Sequence, residues 1–340
     1  MKQRLLHITL VSCLVITSLL WGGAVYAQDE ELPDPGITPD SPFYFLDTWG
    51  KSISMFFTFG DEAKAKRALC YAEERLSEAQ AMAANNKTRE MTRAANDYDK
   101  FIAMVSERLE KITKNAASDN ISERLAVSAY RIHTRLGELK DKLPPKASIK
   151  VTPTDEETQE EATATEEAQA TIERAKAATI NSQVKALRKL GKNKPERALD
   201  ISSETIERLM EKARVRITAN VTDNVTDDVN EALDYAARIA ELEDEMTAIA
   251  EEKGIDITSI QERLAQSTSN RLEVLSEVYE NAPEAAQKGI ANAIENSVEK
   301  YERVVEKLKE KNASSEISAN ATVIQNVTAK IKESEPGNLK

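Results

Sequence analysis

The stretch 61-DEAKAKRALCYAEERLSEAQAMAA-84 decides the fold. Ala65, Leu69, Ala72, Leu76, Ala79 and Ala83 recur at spacings of four, three, four, three and four, which places them on one stripe of an α-helix. Neither Gly nor Pro interrupts the run, and the charged residues fall off the stripe. The same rhythm returns at Leu125, Ala129, Ile132, Leu136, Leu139 and Leu143, and at Ile290, Ile294, Val298, Tyr301, Val305 and Leu308. Stripes of small Ala and medium Leu let helices approach closely, so the expected packing is antiparallel helix on helix.

The chain also aligns with itself. Ile121-Ser-Glu-Arg-Leu-Ala-Val-Ser128 matches Ile260-Gln-Glu-Arg-Leu-Ala-Gln-Ser267 at an offset of 139, and the register holds to Leu136/Leu275, Pro144/Pro283 and Ala147/Ala286. Arg67-Ala68-Leu69 and Glu74-Arg75-Leu76 resemble Arg197-Ala198-Leu199 and Glu207-Arg208-Leu209, while Ala168-Gln169, Ile172, Ala175 and Lys189-Leu190 match Ala286-Gln287, Ile290, Ala293 and Lys307-Leu308 at an offset of 118. The fall from 139 to 118 leaves 21 extra residues in the first copy, assigned to the Thr/Glu-rich stretch around Ser148 to Glu167, which reads as a solvated insert, with a helical continuation through Glu156 to Glu167 as the alternative that its Thr and like charges weaken. Asn120 with Glu123, and Ser259 with Glu262, predict reciprocal capping boxes that start the duplicated helices.

The expected fold is therefore all-α: two tandem, duplicated antiparallel helical bundles of about four helices each. Helices are expected near 61–84, 88–114, 121–143, 167–191, 196–218, 226–252, 259–281 and 284–311, giving a first repeat at 61–191 and a second at 195–312. A weaker final helix, Ser315 to Lys332, falls in a tail at 313–340.

Residues 28–60 differ from the rest. Leu32-Pro-Asp-Pro-Gly-Ile-Thr-Pro-Asp-Ser-Pro-Phe-Tyr-Phe-Leu-Asp47 holds four Pro, which fix φ and remove donors, so this arm is expected to begin extended and turn-rich. Phe43, Tyr44, Phe45, Leu46, Trp49, Phe56, Phe57 and Phe59 follow. The expectation is a short helix and hairpin-like lead-in that buries them as a cap on the first bundle; an exposed arm that docks a partner is the competing one.

Before the arm, Lys2 and Arg4 precede the uncharged run Leu5 to Trp21 and then Gly22-Gly-Ala-Val-Tyr-Ala27, a pattern of a secretory signal peptide spanning 1–27 with cleavage between Ala27 and Gln28. A retained anchor is the alternative, because Leu5 to Ala27 is 23 uncharged residues, and about 20 span a bilayer. Seven Asn-x-Ser/Thr sites, at Asn86, Asn120, Asn220, Asn224, Asn312, Asn320 and Asn326, fit an exported glycoprotein or a clustering of good helix caps. Cys70, alone in the chain after Cys13, is expected to be a buried, inert thiol, with an intermolecular bridge as the alternative.

The arm motif, with Pro35, Gly36, Pro39, Asp40, Ser41, Pro42, Phe43 and Tyr44, followed by Lys64 and Ala72-Glu-Glu-Arg-Leu-Ser-Glu-Ala79, resembles a prokaryotic family of unknown function whose members are exported helical proteins of archaea and bacteria. The resemblance runs over about residues 32 to 110, and again from Arg271 to Ser297 around Ala282-Pro-Glu-Ala-Ala286. It implies export, a helical fold and no enzymatic activity, and it assigns no site residue.

Composition bounds the chemistry. With 46 basic and 58 acidic residues the 340-residue chain carries −12, or −14 without Lys2 and Arg4, which would repel nucleic-acid phosphates. Two His and two Cys, of which His7 and Cys13 lie in the N-terminal run, supply no zinc set. No phosphate loop, serine elbow or His-Glu-x-x-His occurs, and Glu73/Glu74, Glu156/Glu157, Glu160/Glu161 and Glu251/Glu252 are the pairs an acidic helix surface makes by composition. Asp223 to Glu231 reads as an acidic loop in which Val225, Val229 and the missing Gly break calcium-loop spacing. The expectation is thus a non-enzymatic, cofactor-free structural or interaction module meeting an envelope or extracellular protein, with no membrane span after signal cleavage and oligomerisation left open. The alternative is an exported binder of divalent cations or a small ligand through carboxylates between helices.

Overall fold

The computed structural model describes residues 32–113, 116–143, 156–218 and 225–310. From Asp34 onward the described residues belong to one compact unit. Nine helices occur among the described residues, and no strand does: α1 Tyr44–Phe56, α2 Asp61–Ala84, α3 Thr88–Lys111, α4 Ala116–Asp141, α5 Glu156–Gly191, α6 Pro195–Thr218, α7 Val225–Glu252, α8 Ile257–Asn281 and α9 Glu284–Glu310.

Four hairpins, α2/α3, α4/α5, α6/α7 and α8/α9, are closely paired, and α3 packs on α5 as extensively as α8 does on α9. Neighbouring hairpins then stack in two layers: α2, α4, α6 and α8 in one, α3, α5, α7 and α9 in the other. The two halves join through α5 against α6 and α7 and through α4 against α6, so the duplicated bundles form a single continuous stack.

The duplication is carried by the core. Ile121, Leu125, Ala126, Ser128, Leu136 and Leu139 of α4 are buried, as are their counterparts Ile260, Leu264, Ala265, Ser267, Leu275 and Val278 of α8. Ala168, Ile172, Leu187 and Leu190 of α5 correspond to buried Ala286, Ile290, Val305 and Leu308 of α9. Each fully buried Leu or Ile contributes roughly 1.5–3 kcal/mol, so these stripes dominate the folding energy.

The hairpin turns follow local chemistry. Asn86 takes φ +56°, and the Lys87 amide returns to the Met82 carbonyl at 2.9 Å, closing the end of α2. Gly254 at φ +68°, with the Ile255 amide on Ala250 at 3.0 Å, does the same for α7. Pro195 opens α6, where its missing N–H would have no helical partner.

Several expectations are corrected. α5 begins at Glu156, so the second half of the expected insert at 148–167 is helix; burial of Thr165 and Ala168 along one face outweighs its like charges. α4 begins at Ala116, which puts Asn120 inside the helix and removes its capping box. α8 is capped instead by Asp256, whose carboxylate accepts from the Thr258 amide at 3.0 Å, leaving Ser259 in the first turn. As its prolines predict, the arm begins without regular structure and turns between Thr38 and Phe43 into α1. The tail at 313–340 and the expected helix 315–332 lie outside the described residues.

Candidate functional site

Helix α1 packs on the bundle with its polar side. Tyr44, Asp47, Lys51, Ser54 and Thr58 recur at spacings of three, four, three and four, which is a helical seam made of polar residues. Tyr44, Lys51 and Thr58 are buried. Lys51 Nζ lies 2.6 Å from Asp47, 2.7 Å from Glu74 and 3.8 Å from Glu78. Arg75 donates to Glu78 at 2.6 and 2.8 Å, to Asp47 at 2.8 Å and to the Tyr44 hydroxyl at 2.7 Å. The Tyr44 hydroxyl donates in turn to Asp97 at 3.3 Å, and its ring has the Arg75 and Arg93 guanidinium groups 4.9 Å from its centre. Arg67 ties down the far end through the Ser54 carbonyl and hydroxyl.

These contacts set the protonation states. Burial pushes the Tyr44 hydroxyl up, beyond any physiological titration. Burial likewise pushes Glu78 up to about 7, against the opposing pull of Arg75 and Lys51. Asp47, Glu74 and Glu78 are close enough to share one cation. The Lys51 ammonium and the Arg75 guanidinium already supply that positive charge, so the cluster reads as an ion network that docks a helix.

The other side of α1 faces outward. Phe43 (61%), Phe45 (61%), Leu46 (46%), Trp49 (65%), Ile53 (39%), Phe56 (77%), Phe57 (65%) and Phe59 (81%) are exposed. Ile37 and Val215 are the only other large hydrophobic residues exposed among the described ones. No exposed residue from Pro42 to Gly60 carries a charge, because Asp47 and Lys51 point into the bundle. The expectation that the aromatic mass caps the first bundle is therefore overturned: only Tyr44 is buried, since the ion network claims the inner face. The period-3.5 polar seam was the signal for this, visible in the sequence but hidden behind the aromatic count.

The arm motif builds the turn that sets this helix. Gly36, at φ +59°, gives its amide to Asp34 at 2.8 Å, Pro39 is buried, and Asp40 pairs with Lys87 at 2.6 Å. The Ser41 amide bonds the Thr38 carbonyl at 2.9 Å, and the Ser41 hydroxyl accepts from the Phe43 amide at 3.2 Å. Pro35 and Pro42 flank the turn, and Tyr44 is its anchor in the bundle.

Two further charge clusters lie between helices. At the joint of the halves, His133 Nε2 stands 2.8 Å from Glu231, which also pairs with Lys176 at 2.5 Å. Burial lowers the His133 pKa. Burial alone would raise Glu231, but His133 and Lys176 outweigh it and hold the carboxylate down to about 2. In the second half, fully buried Glu243 pairs with Lys300 at 2.6 Å and lies 3.6 Å from Arg271, which keeps it ionised below the usual carboxylate range although burial opposes this. Each interhelical carboxylate cluster thus carries its own cations, which speaks against divalent metal binding there.

A groove of about 1030 Å³ runs between Thr48 of α1 and helices α3 and α5, lined by Arg89, Arg93, Asp97, Lys100, Glu160 and Glu167 among others. Its mixed charges select no ligand class. Glu73 and Glu251 pair with Arg124 and Lys307. Cys70 is exposed, a quarter turn off the seam and 4.0 Å from an Arg124 nitrogen, which corrects the expected buried thiol. From Val225 the expected acidic loop 223–231 is the start of α7, its Glu231 turned to His133. Asn86 is exposed in a turn; Asn120 is exposed on α4, with the Ser122 hydroxyl of its site buried and donating to Ser118 at 2.8 Å. Ala27, Gln28, Asn220, Asn224, Asn312, Asn320 and Asn326 lie outside the described residues.

Residues 36–146 match the model of a domain of unknown function (DUF5667). The match runs from the arm turn to just past α4 and so takes in the outward-facing helix with the network that holds it. No curated protein matches the chain. Among the described residues no helix is long and apolar enough to cross a membrane.

Proposed function

We propose that the protein is an exported, non-enzymatic interaction module that works at the cell envelope through the aromatic face of α1. The observation that carries this is the inversion of α1: a helix seated by buried charge and tyrosine while eight large apolar side chains, five on the helix and three on its flanks, are exposed. Contiguous apolar patches of this kind mark contact surfaces, because leaving them in water costs about 25 cal/mol for each Å² that a contact would cover. The bundle behind is a rigid support. Export is supported by the charged and apolar pattern of residues 2–27, and more weakly by the seven Asn-x-Ser/Thr sites and the resemblance of the arm motif to exported proteins.

The test uses thiol accessibility in the intact host. In the full chain with Cys13→Ser and Cys70→Ser, Trp49→Cys is expected to be shielded from a membrane-impermeant maleimide in the envelope and to react after detergent purification. Val215→Cys, exposed on α6, is expected to react in both. Equal labelling of the two positions in the envelope would remove the proposed surface.

A further inference from the structure

Resting on that reading, we infer that the occupant of the α1 face is a lipid bilayer, entered to the depth of the headgroup and acyl-chain boundary. Protein interfaces carry about one hydrogen bond per 100–200 Å² and a polar rim. The α1 face has little with which to make them. Its exposed residues are Pro42, Gly50, Ser52, Gly60 and the eight large apolar side chains, and the Ser52 hydroxyl is already spent on the Thr48 carbonyl at 2.9 Å. Hydrocarbon asks for no hydrogen bond, so this surface complements lipid better than a polar partner.

Geometry agrees. The 13 residues of α1 are about 20 Å of helix, too short to cross a bilayer and suited to lying in its surface. Phe, Trp and Leu on one side of a short helix are the residues that settle at the acyl boundary. Where the face ends, Arg67 holds Ser54, and Lys64, Lys66 and Arg67 outnumber Asp61 and Glu62, of which Asp61 is paired with Arg108 at 3.1 Å, so a small excess of positive charge is left for headgroup phosphates on a chain that is otherwise acidic. Where the 23-residue uncharged run ending at Ala27 is retained as an anchor, it adds a tether, since only 15 residues lie between Ala27 and Phe43, a reach of at most about 55 Å. Whether that run is cleaved or retained, the face needs no other part of the chain to meet a membrane.

Trp49 reports the outcome directly, since Trp21 is the only other tryptophan. The full chain carrying Trp21→Phe is mixed with phosphatidylcholine vesicles whose acyl chains are brominated near the headgroup, with and without phosphatidylglycerol. Emission from Trp49 is expected to fall by about half or more, and to recover when Phe45→Ser and Phe56→Ser are added. A control with Trp21→Phe, Trp49→Phe and Val215→Trp is expected to keep its emission, which separates contact by α1 from mere tethering. No quenching of Trp49, with Trp49→Cys still shielded in the host envelope, overturns the lipid assignment and leaves a protein or a second copy as occupant. No quenching and no shielding removes the docking surface altogether.

Discussion

Arg75 and Glu231 show how much of this molecule rests on single buried charges. Arg75 is 1% exposed and the Glu78 it meets is fully buried, so Arg75→Met removes the guanidinium shared by Glu78 and Asp47 and leaves Glu78 with Lys51 at 3.8 Å, while Asp47 keeps Lys51 at 2.6 Å. The expected loss is about 3–5 kcal/mol in urea unfolding, because a poorly compensated buried charge costs more than the pair contributes. Arg75→Met with Glu78→Met should recover part of it. Glu231 acts through pH. Its carboxyl is held near 2 in the fold against 4.5 when unfolded, so its contribution is fully present above about pH 4.5 and is lost as pH falls toward 2. Glu78, raised in the fold, is protonated in both states below about 4.5 and adds no slope in that window. Glu231→Gln is therefore expected to flatten the acid limb of a stability-versus-pH curve. Neither partnership was legible in the sequence: Arg75 and Glu78 are neighbours on one helix, but what desolvates them is α1, thirty residues earlier, and His133, Lys176 and Glu231 come from three helices.

Helices were the most legible scale. The bounds of α2 and α6 follow from the apolar stripe and from Pro195, since these local signals coincide with the ends of burial. α5 was under-read because Thr and Glu between 156 and 167 have weak or repulsive local preference, and only packing of its buried face makes them helical. α1 was misread in orientation. Its aromatic residues announce burial by composition, yet burial on this chain is decided by the polar seam of Tyr44, Asp47 and Lys51 meeting Glu74, Arg75 and Glu78. Exposed residues away from strained or buried features change stability little, so Phe45→Ser, Trp49→Ser and Phe56→Ser together are expected to leave the thermal midpoint of the full chain in solution unchanged or higher, read by circular dichroism. A large drop would mean that the face is covered in the free protein.

Across the whole molecule, the two halves are joined by Gln183 of α5, fully buried at the seam. Its amide donates to the Ala126 carbonyl of α4 at 2.7 Å and to the Thr205 hydroxyl of α6 at 3.2 Å, and its carbonyl accepts from Tyr235 of α7. Gln183→Leu leaves that buried tyrosine hydroxyl without its acceptor, a cost of about 1–3 kcal/mol placed where the repeats meet. Calorimetry of the full chain is expected to change from one transition to two, as neighbour coupling falls below the stability of each half. Outside that seam a ladder of pairs, Arg124 on buried Glu73, Arg197 on Glu123 and Arg263 on Asp200, repeats along one layer, and its two solvent-facing members guide register more than they add stability. By itself the sequence determined the helical class, the duplication and most helix ends, because periodicity, turn residues and capping act within a few residues of chain. Tertiary structure alone decided that the two bundles are one stack and that α1 turns its aromatic side outward, because both depend on which buried groups from distant helices neutralise one another.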